Sequence, residues 1–153
     1  MAQSTEILPN GLQLLQDDRF FKLGQDSVLL SAFAKPRRNA KLLDLGCGTG
    51  ALALLVWRPD LKITGLELQD GPLDLFRQSI TVNGLENVTA LQGDLRQMRT
   101  LLPHGSMDYV ICNPPYFDRN AGANAPTAEK RTARHLFGRG TGGCGLVRAA
   151  YRR

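Results

Sequence analysis

The chain is predicted to fold as an α/β domain built on a mostly parallel sheet, and three observations predict it. Short apolar runs alternate with helical patterns at the spacing of strand–helix–strand units. Three glycines, Gly46, Gly48 and Gly50, fall between the first such run and the helix behind it. Acids close the next two runs, at Glu67 and Asp94. A length of 153 residues accommodates one domain of this kind and not two.

Taken in order, Pro9-Asn10-Gly11 is a turn signal, and Leu12-Gln13-Leu14 alternates as an extended segment does, which predicts an N-terminal hairpin. Asp26 is placed to cap a helix whose apolar face is Val28, Leu29, Ala32 and Phe33 and which ends before Pro36. Residues 37–41 form a basic connector. Residues 42–45 then read as a buried strand and 51–57 as its helix, with Trp57 in the core. Residues 62–67 read as a second strand. Asp70 and Pro72 open a second helix that carries Leu73, Phe76 and Ile80 on one face and ends at Asn83-Gly84. Residues 88–91 are a third strand, 95–102 a weaker helix or loop, and 107–112 a fourth strand. Right-handed crossovers between parallel strands follow from this alternation.

After Tyr116 the alternation stops. Residues 117–127 are loop-like, 128–136 suit one short helix, and five of the eight positions from Gly138 to Gly145 are glycine, which suits neither helix nor strand. The expected organisation is an N-terminal hairpin and helix over residues 1–36, an α/β core over 37–136 and an irregular Gly/Arg-rich tail over 137–153.

No apolar run approaches the roughly 18–20 residues that span a bilayer. The first six residues show no basic patch followed by an apolar stretch, so no secretory leader is expected. Cys47, Cys112 and Cys144 are far apart and odd in number, as reduced thiols in a cytoplasmic protein would be. They lack zinc-site spacing and the chain has two histidines, so no metal is expected. A net charge of +5 points towards a polyanionic partner, although Arg131, Arg134, Arg139, Arg148, Arg152 and Arg153 supply much of it.

Two segments carry chemistry. The first is Asp44-Leu45-Gly46-Cys47-Gly48-Thr49-Gly50. Gly46 and Gly48 allow a tight turn and close approach of a ligand, and Gly50 lets the helix start close against the sheet. The spacing is GxGxG, not the GxGxxG of dinucleotide sites. It favours a cofactor whose charged amino-acid end packs on the loop, as in S-adenosylmethionine, over a pyrophosphate. Glu67 suits the ribose hydroxyls and Asp94 the adenine amino group. Turn glycines with surface acids are the plainer alternative.

The second is Asn113-Pro114-Pro115-Tyr116, at the end of the fourth strand. An exocyclic amino nitrogen is a poor nucleophile because its lone pair is delocalised. The Asn113 side-chain oxygen and the Pro114 carbonyl can accept its two N–H bonds and favour a more tetrahedral nitrogen in the transition state. Consecutive prolines stiffen the backbone there. Tyr116 offers a ring for a flipped base. A Pro-Pro turn that ends a strand is again the plainer alternative.

With these residues stated, the chain resembles the class I S-adenosylmethionine-dependent methyltransferases, a Rossmann-like fold. The glycine segment is similar to their cofactor loop, and Asn113-Pro114-Pro115-Tyr116 to the catalytic motif of the amino-methylating branch. That branch includes adenine-N6 enzymes of DNA and RNA and protein-glutamine N5-methyltransferases. Phe20-Phe21-Lys22-Leu23-Gly24-Gln25-Asp26-Ser27-Val28-Leu29-Leu30 and Ala133-Arg134-His135 further resemble bacterial enzymes that methylate the adenine next to the anticodon of valine tRNA. The similarity covers roughly residues 6–136. It implies catalytic roles for Asn113, Pro114, Pro115 and Tyr116. Cofactor contacts are implied for Asp26, Asp44, Gly46, Gly48, Gly50, Glu67 and Asp94, and an RNA-facing loop through Arg131, Arg134 and His135. For His135 a solvated helix position is the alternative. The implied cofactor is S-adenosyl-L-methionine, and the implied partner is tRNA, with neither metal nor membrane. Oligomeric state is not fixed by the sequence, a monomer being the expectation.

Such domains carry seven strands, and about 37 residues after Tyr116 are too few for the missing ones. A C-terminally truncated chain is therefore expected, with an exposed edge at the fourth strand and weak stability or activity. Besides tRNA adenine-N6 transfer, two readings stay open: protein-glutamine N5-methylation and a non-catalytic cofactor- or RNA-binding remnant. A nicotinamide oxidoreductase is disfavoured by the glycine spacing.

Overall fold

The structure is a computed structural model and describes residues 2–114. The elements expected over 117–153 lie outside the described residues.

The N-terminal hairpin pairs β1 (Gln3–Ile7) antiparallel with β2 (Gln13–Asp17). Its turn closes through Leu8 and Leu12, and the Asn10 side-chain amide donates to the Leu54 carbonyl at 2.8 Å. The free edge of β2 is covered by side chains of a helix. The Leu15 N–H donates to Ser79 Oγ at 2.9 Å, and the Gln13 N–H to Asn83 Oδ1 at 2.8 Å. An edge strand is thereby satisfied without a further strand.

The main sheet is parallel, in the order β5 (Val88–Gln92), β4 (Lys62–Glu67), β3 (Lys41–Leu45), β6 (Tyr109–Ile111). Side chains alternate across it and build two cores. Leu42, Ile63, Val88 and Ile111 lie on one face with α2 (Ala51–Leu55) and α3 (Asp70–Val82), around the fully buried Phe76. Leu43, Leu45 and Leu66 lie on the other with Met98, the first residue of the short α4 (Met98–Leu101) that follows a 3₁₀ turn (Leu95–Gln97), and with Leu102 just after it. Helices on both faces of a parallel sheet are the predicted α/β architecture.

Two expectations are corrected at the N-terminal helix, α1 (Gln25–Phe33). Gly24 caps it with no side-chain bond, and Asp26 sits one position inside the first turn. The face expected to be buried is exposed, with Leu29 at 60% and Phe33 at 81%. The helix instead packs through Leu30 and buries Ser27. Apolar residues run almost all round this helix, so periodicity did not single out the packed stripe. Trp57 is half-buried, its ring N–H donating to Asn87 Oδ1 at 2.9 Å, so it lines the core without lying within it.

Candidate active site

Parallel pairing puts the carboxyl ends of all four strands at one rim, where ligands of open α/β sheets bind. Asp44 of β3 is in register with Ile111 of β6. The glycine loop and Asn113 therefore leave adjacent strands at the same edge, although 65 positions separate Gly48 from Asn113.

The loop is held by the neighbouring strand. Gly46 and Cys47 donate their N–H groups to the Leu66 carbonyl at 2.8 and 3.1 Å. Gly46, Gly48 and Gly50 all have positive φ, at +69°, +55° and +84°. At Gly50 a side chain is doubly excluded: φ is left-handed, and a Cβ would run into the Phe76 ring. At Gly48 the same added atom would meet nothing within 4 Å. The loop is thus packed tightly on its inner side and open at Gly48.

Glu67 ends β4 and is buried. Its Oε2 accepts from the Gly48 N–H at 3.0 Å, and its Oε1 from those of Leu68 and Gln69, both at 2.9 Å. One carboxylate thus ties the glycine loop to the start of α3. Burial raises its pKa, and the three N–H bonds pull in the opposite direction. With three of about four lone-pair directions taken, one remains for a ligand hydroxyl.

Asp44 lies on the same face as α2, as strand alternation requires, and is 1% exposed. Its Oδ2 accepts from the Ala53 N–H at 3.1 Å, satisfying a donor in the first turn of α2. Burial pushes its carboxyl up to about 7. Asp94 follows β5 by two residues and caps the 3₁₀ turn, accepting from the Arg96 N–H at 2.8 Å. The Arg96 guanidinium also binds both its oxygens and holds its pKa down. Asp26 is exposed in the first turn of α1.

Asn113 is half-buried, and its Nδ2 donates to Ser27 Oγ at 3.0 Å. Pro114 is half-buried beside it. Pro115, Tyr116, Arg131, Arg134 and His135 lie outside the described residues.

Sequence reasoning passed over four residues at this rim. Ser27 contacts Asn113, and Arg96 clamps Asp94. Phe20, buried, fills the space over Gly71, where a Cβ would strike its ring. Gln92 donates its amide to Asp70 Oδ1 at the start of α3. The segment from Phe20 to Ser27 thus crosses from the start of α3 to the end of β6. Only Phe20 and Ser27 carried a signal, as part of a recognisable stretch, and neither had a chemical pattern to mark it.

The donor set fits a cationic nucleoside cofactor. Glu67, Asp70 and Asp94 lie at or just past the carboxyl ends of β4 and β5 in a chain of net charge +5, and the glycine backbone is open where a ligand would approach. A sulfonium's positive charge is favoured by such carboxylates, and a pyrophosphate is not. Among the described residues, no group of His, Cys, Asp and Glu could hold a metal ion, and no helix is long and apolar enough to cross a membrane.

Residues 24–140 match the methyltransferase small domain family. The chain is 32% identical over 115 residues to the tRNA1(Val) (adenine(37)-N6)-methyltransferase of Photobacterium profundum, covering 72% of this chain and 47% of that protein. It is 35% identical over 114 residues to the enzyme of the same name from a Shewanella species, with coverage of 72% and 47%. The chain thus spans about half the length of these relatives. Its fold matches the crystal structure of Pyrococcus abyssi tRNA (uracil-54, C5)-methyltransferase in complex with S-adenosyl-L-homocysteine. The TM-score is 0.58 at 16% identity, over 74% of this chain and 28% of that one.

Proposed function

The chain belongs to the methyltransferase small domain family, with S-adenosyl-L-methionine as its cofactor, and on that premise we propose that it serves methyl transfer to N6 of an adenine in tRNA. The observation that carries this reading is the parallel pairing of β3 with β6, which brings Gly48 and Asn113 to one rim. The names of the similar proteins and the basic composition favour tRNA as the partner. The same reading has residues 37–136 as the cofactor-binding core behind the hairpin and helix of 1–36, acting as a monomer in the cytoplasm.

The cofactor, when bound, supplies an electrophilic methyl group on a positively charged sulfur. The residues of the chain bind and orient. The glycine loop would hold the amino-acid end of the cofactor, and the remaining lone pair of Glu67 would accept from a ribose hydroxyl. Asp94 would accept from the adenine amino group through a lone pair that Arg96 leaves. Asn113 Oδ1 and the Pro114 carbonyl accept the N–H bonds of the target amino group, which concentrates the nitrogen lone pair on the line of attack. Burial at the rim strengthens both bonds. As the N–C bond forms, the C–S bond breaks with its electron pair left on sulfur, and the cationic methylated nitrogen then loses one proton to solvent. Positioning supplies most of the acceleration, so no side-chain base is needed to begin the step.

Incubation with methyl-labelled cofactor and either bulk tRNA or a glutamine-bearing protein substrate tests the proposal. Label in tRNA, recovered as N6-methyladenosine by nucleoside mass spectrometry, is expected. Label confined to protein glutamine, or cofactor binding with no transfer to either substrate, contradicts it.

A further inference from the structure

Ser27 is the buried residue of α1, 7% exposed on a helix that otherwise packs through aliphatic side chains. A hydroxyl in that position costs stability unless it is bonded. Its partner is the side-chain amide of Asn113, 86 positions away, which donates to Ser27 Oγ at 3.0 Å. This bond ties the N-terminal helix to the end of β6.

A carboxamide is nearly symmetric in shape, and rotation by half a turn exchanges its donor and acceptor ends. The two orientations are not equivalent for chemistry. With nitrogen towards Ser27, Oδ1 is left to accept an N–H from a target amino group, and among the described residues no donor reaches it. With the amide reversed, Ser27 would donate to Oδ1, and an NH₂ group would face the target's own NH₂. Donor would then meet donor.

We infer that Ser27 is a positioning residue for methyl transfer: its hydroxyl can bond either end of the Asn113 carboxamide, and by accepting from Nδ2 as observed it anchors the side chain against α1 with Oδ1 left for the target nitrogen. The inference rests on the role proposed for Asn113. It adds that the carboxamide is anchored from the N-terminal helix and not only by the strand that carries it, while the target's own N–H selects the orientation with Oδ1 outward. The prolines after Asn113 stiffen its backbone but leave the amide torsion undetermined.

Two measurements test it. In the wild-type protein, the side-chain NH₂ resonances of Asn113, assigned through Asn113→Asp, should be displaced from the pool of solvated amides. Ser27→Ala should return them to that pool, and Ser27→Thr, which keeps the hydroxyl, should not. In transfer assays with tRNA, Ser27→Ala should lower kcat about tenfold, the effect of losing one orienting hydrogen bond, with cofactor Kd and RNA KM within about twofold. Ser27→Thr should restore most of the rate, a rescue that a packing role would not give, because threonine adds bulk.

Undisplaced Asn113 resonances in the wild type, or an unchanged kcat in Ser27→Ala, overturn the inference. If Ser27→Ala does not fold, the wild-type and Ser27→Thr spectra still decide. A wild-type chain that shows the displaced resonances but methylates no tRNA sinks the proposed activity and leaves the Ser27–Asn113 tether standing.

Discussion

Asp44 and Ala53 are joined by a carboxylate-to-backbone hydrogen bond of 3.1 Å that seals the first turn of α2 against the end of β3. The acid is buried, and burial lifts its carboxyl to about 7. The folded state therefore keeps a proton that the unfolded chain releases near its ordinary value of 3.8. Between those values the folded form binds more protons, so this residue's contribution to stability falls as pH rises from about 4 to 7 and stays low above that. Each unit of elevation amounts to about 1.4 kcal/mol. Asp44→Asn keeps the acceptor and removes the titration. Thermal melts of the two proteins should nearly coincide at pH 4, with the variant higher by several degrees at pH 8. Because Asp17 and Asp60 are held low by Arg19 and Arg58 and lose stability on acidification, only the difference between the two proteins isolates Asp44. A difference that does not change with pH contradicts the assignment.

Gly50→Ala should be among the most damaging single-methyl changes in the chain. The left-handed backbone costs an alanine of order 1–3 kcal/mol. The clash with the buried Phe76 ring adds a similar amount, since neither backbone nor ring can easily retreat. A loss of about 2–5 kcal/mol in denaturant unfolding is expected. Gly48→Ala, facing open space, should cost less stability and more cofactor affinity. Equal losses of stability in the two variants would contradict the packing asymmetry of the loop.

These residues also show what was legible in advance. Strands β3, β4 and β5 stood out as short, mostly apolar runs between helical patterns, and residues 42–45 are one, broken only by Asp44. Gly50 was readable because its neighbours constrain its backbone. The direction of the acids was not readable. Strand alternation turns Asp44 beneath α2, and a local clamp engages Asp94, yet the sequence shows only that Asp44 precedes the glycine loop and that Asp94 follows the third strand. The tether from Ser27 to Asn113 links residues 86 apart, which no local pattern encodes. The packed side of α1 was hidden by its surplus of apolar residues.

Glu67→Gln should weaken both loop and cofactor binding. Glutamine offers one acceptor oxygen, and its amide nitrogen would confront one of the backbone N–H donors now bound at Gly48, Leu68 and Gln69. An unsatisfied donor at this depth costs about 1–3 kcal/mol. Calorimetric titration with S-adenosylhomocysteine should show at least about a tenfold loss of affinity. An unchanged affinity would remove Glu67 from the site.

Arg96→Ala should separate the two ends of its ion pair with Asp94. The arginine side chain is 71% exposed, so its removal should leave stability nearly unchanged. The pKa of Asp94, held low by Arg96, should rise towards the ordinary carboxylate range, which carbon-detected NMR titration can follow. A large loss of stability, or an unmoved Asp94, contradicts the clamp.

Amide NMR during titration with S-adenosylhomocysteine tests the shared rim most directly. Shifts are predicted together in the glycine loop from Gly46 to Gly50, around Glu67, and at Asn113, with Asn39, Asp60 and Gly105 at the opposite end of the sheet unmoved. Shifts that gather at that opposite end, or that reach Gly48 and leave Asn113 untouched, would contradict a common site for methyl donor and target nitrogen.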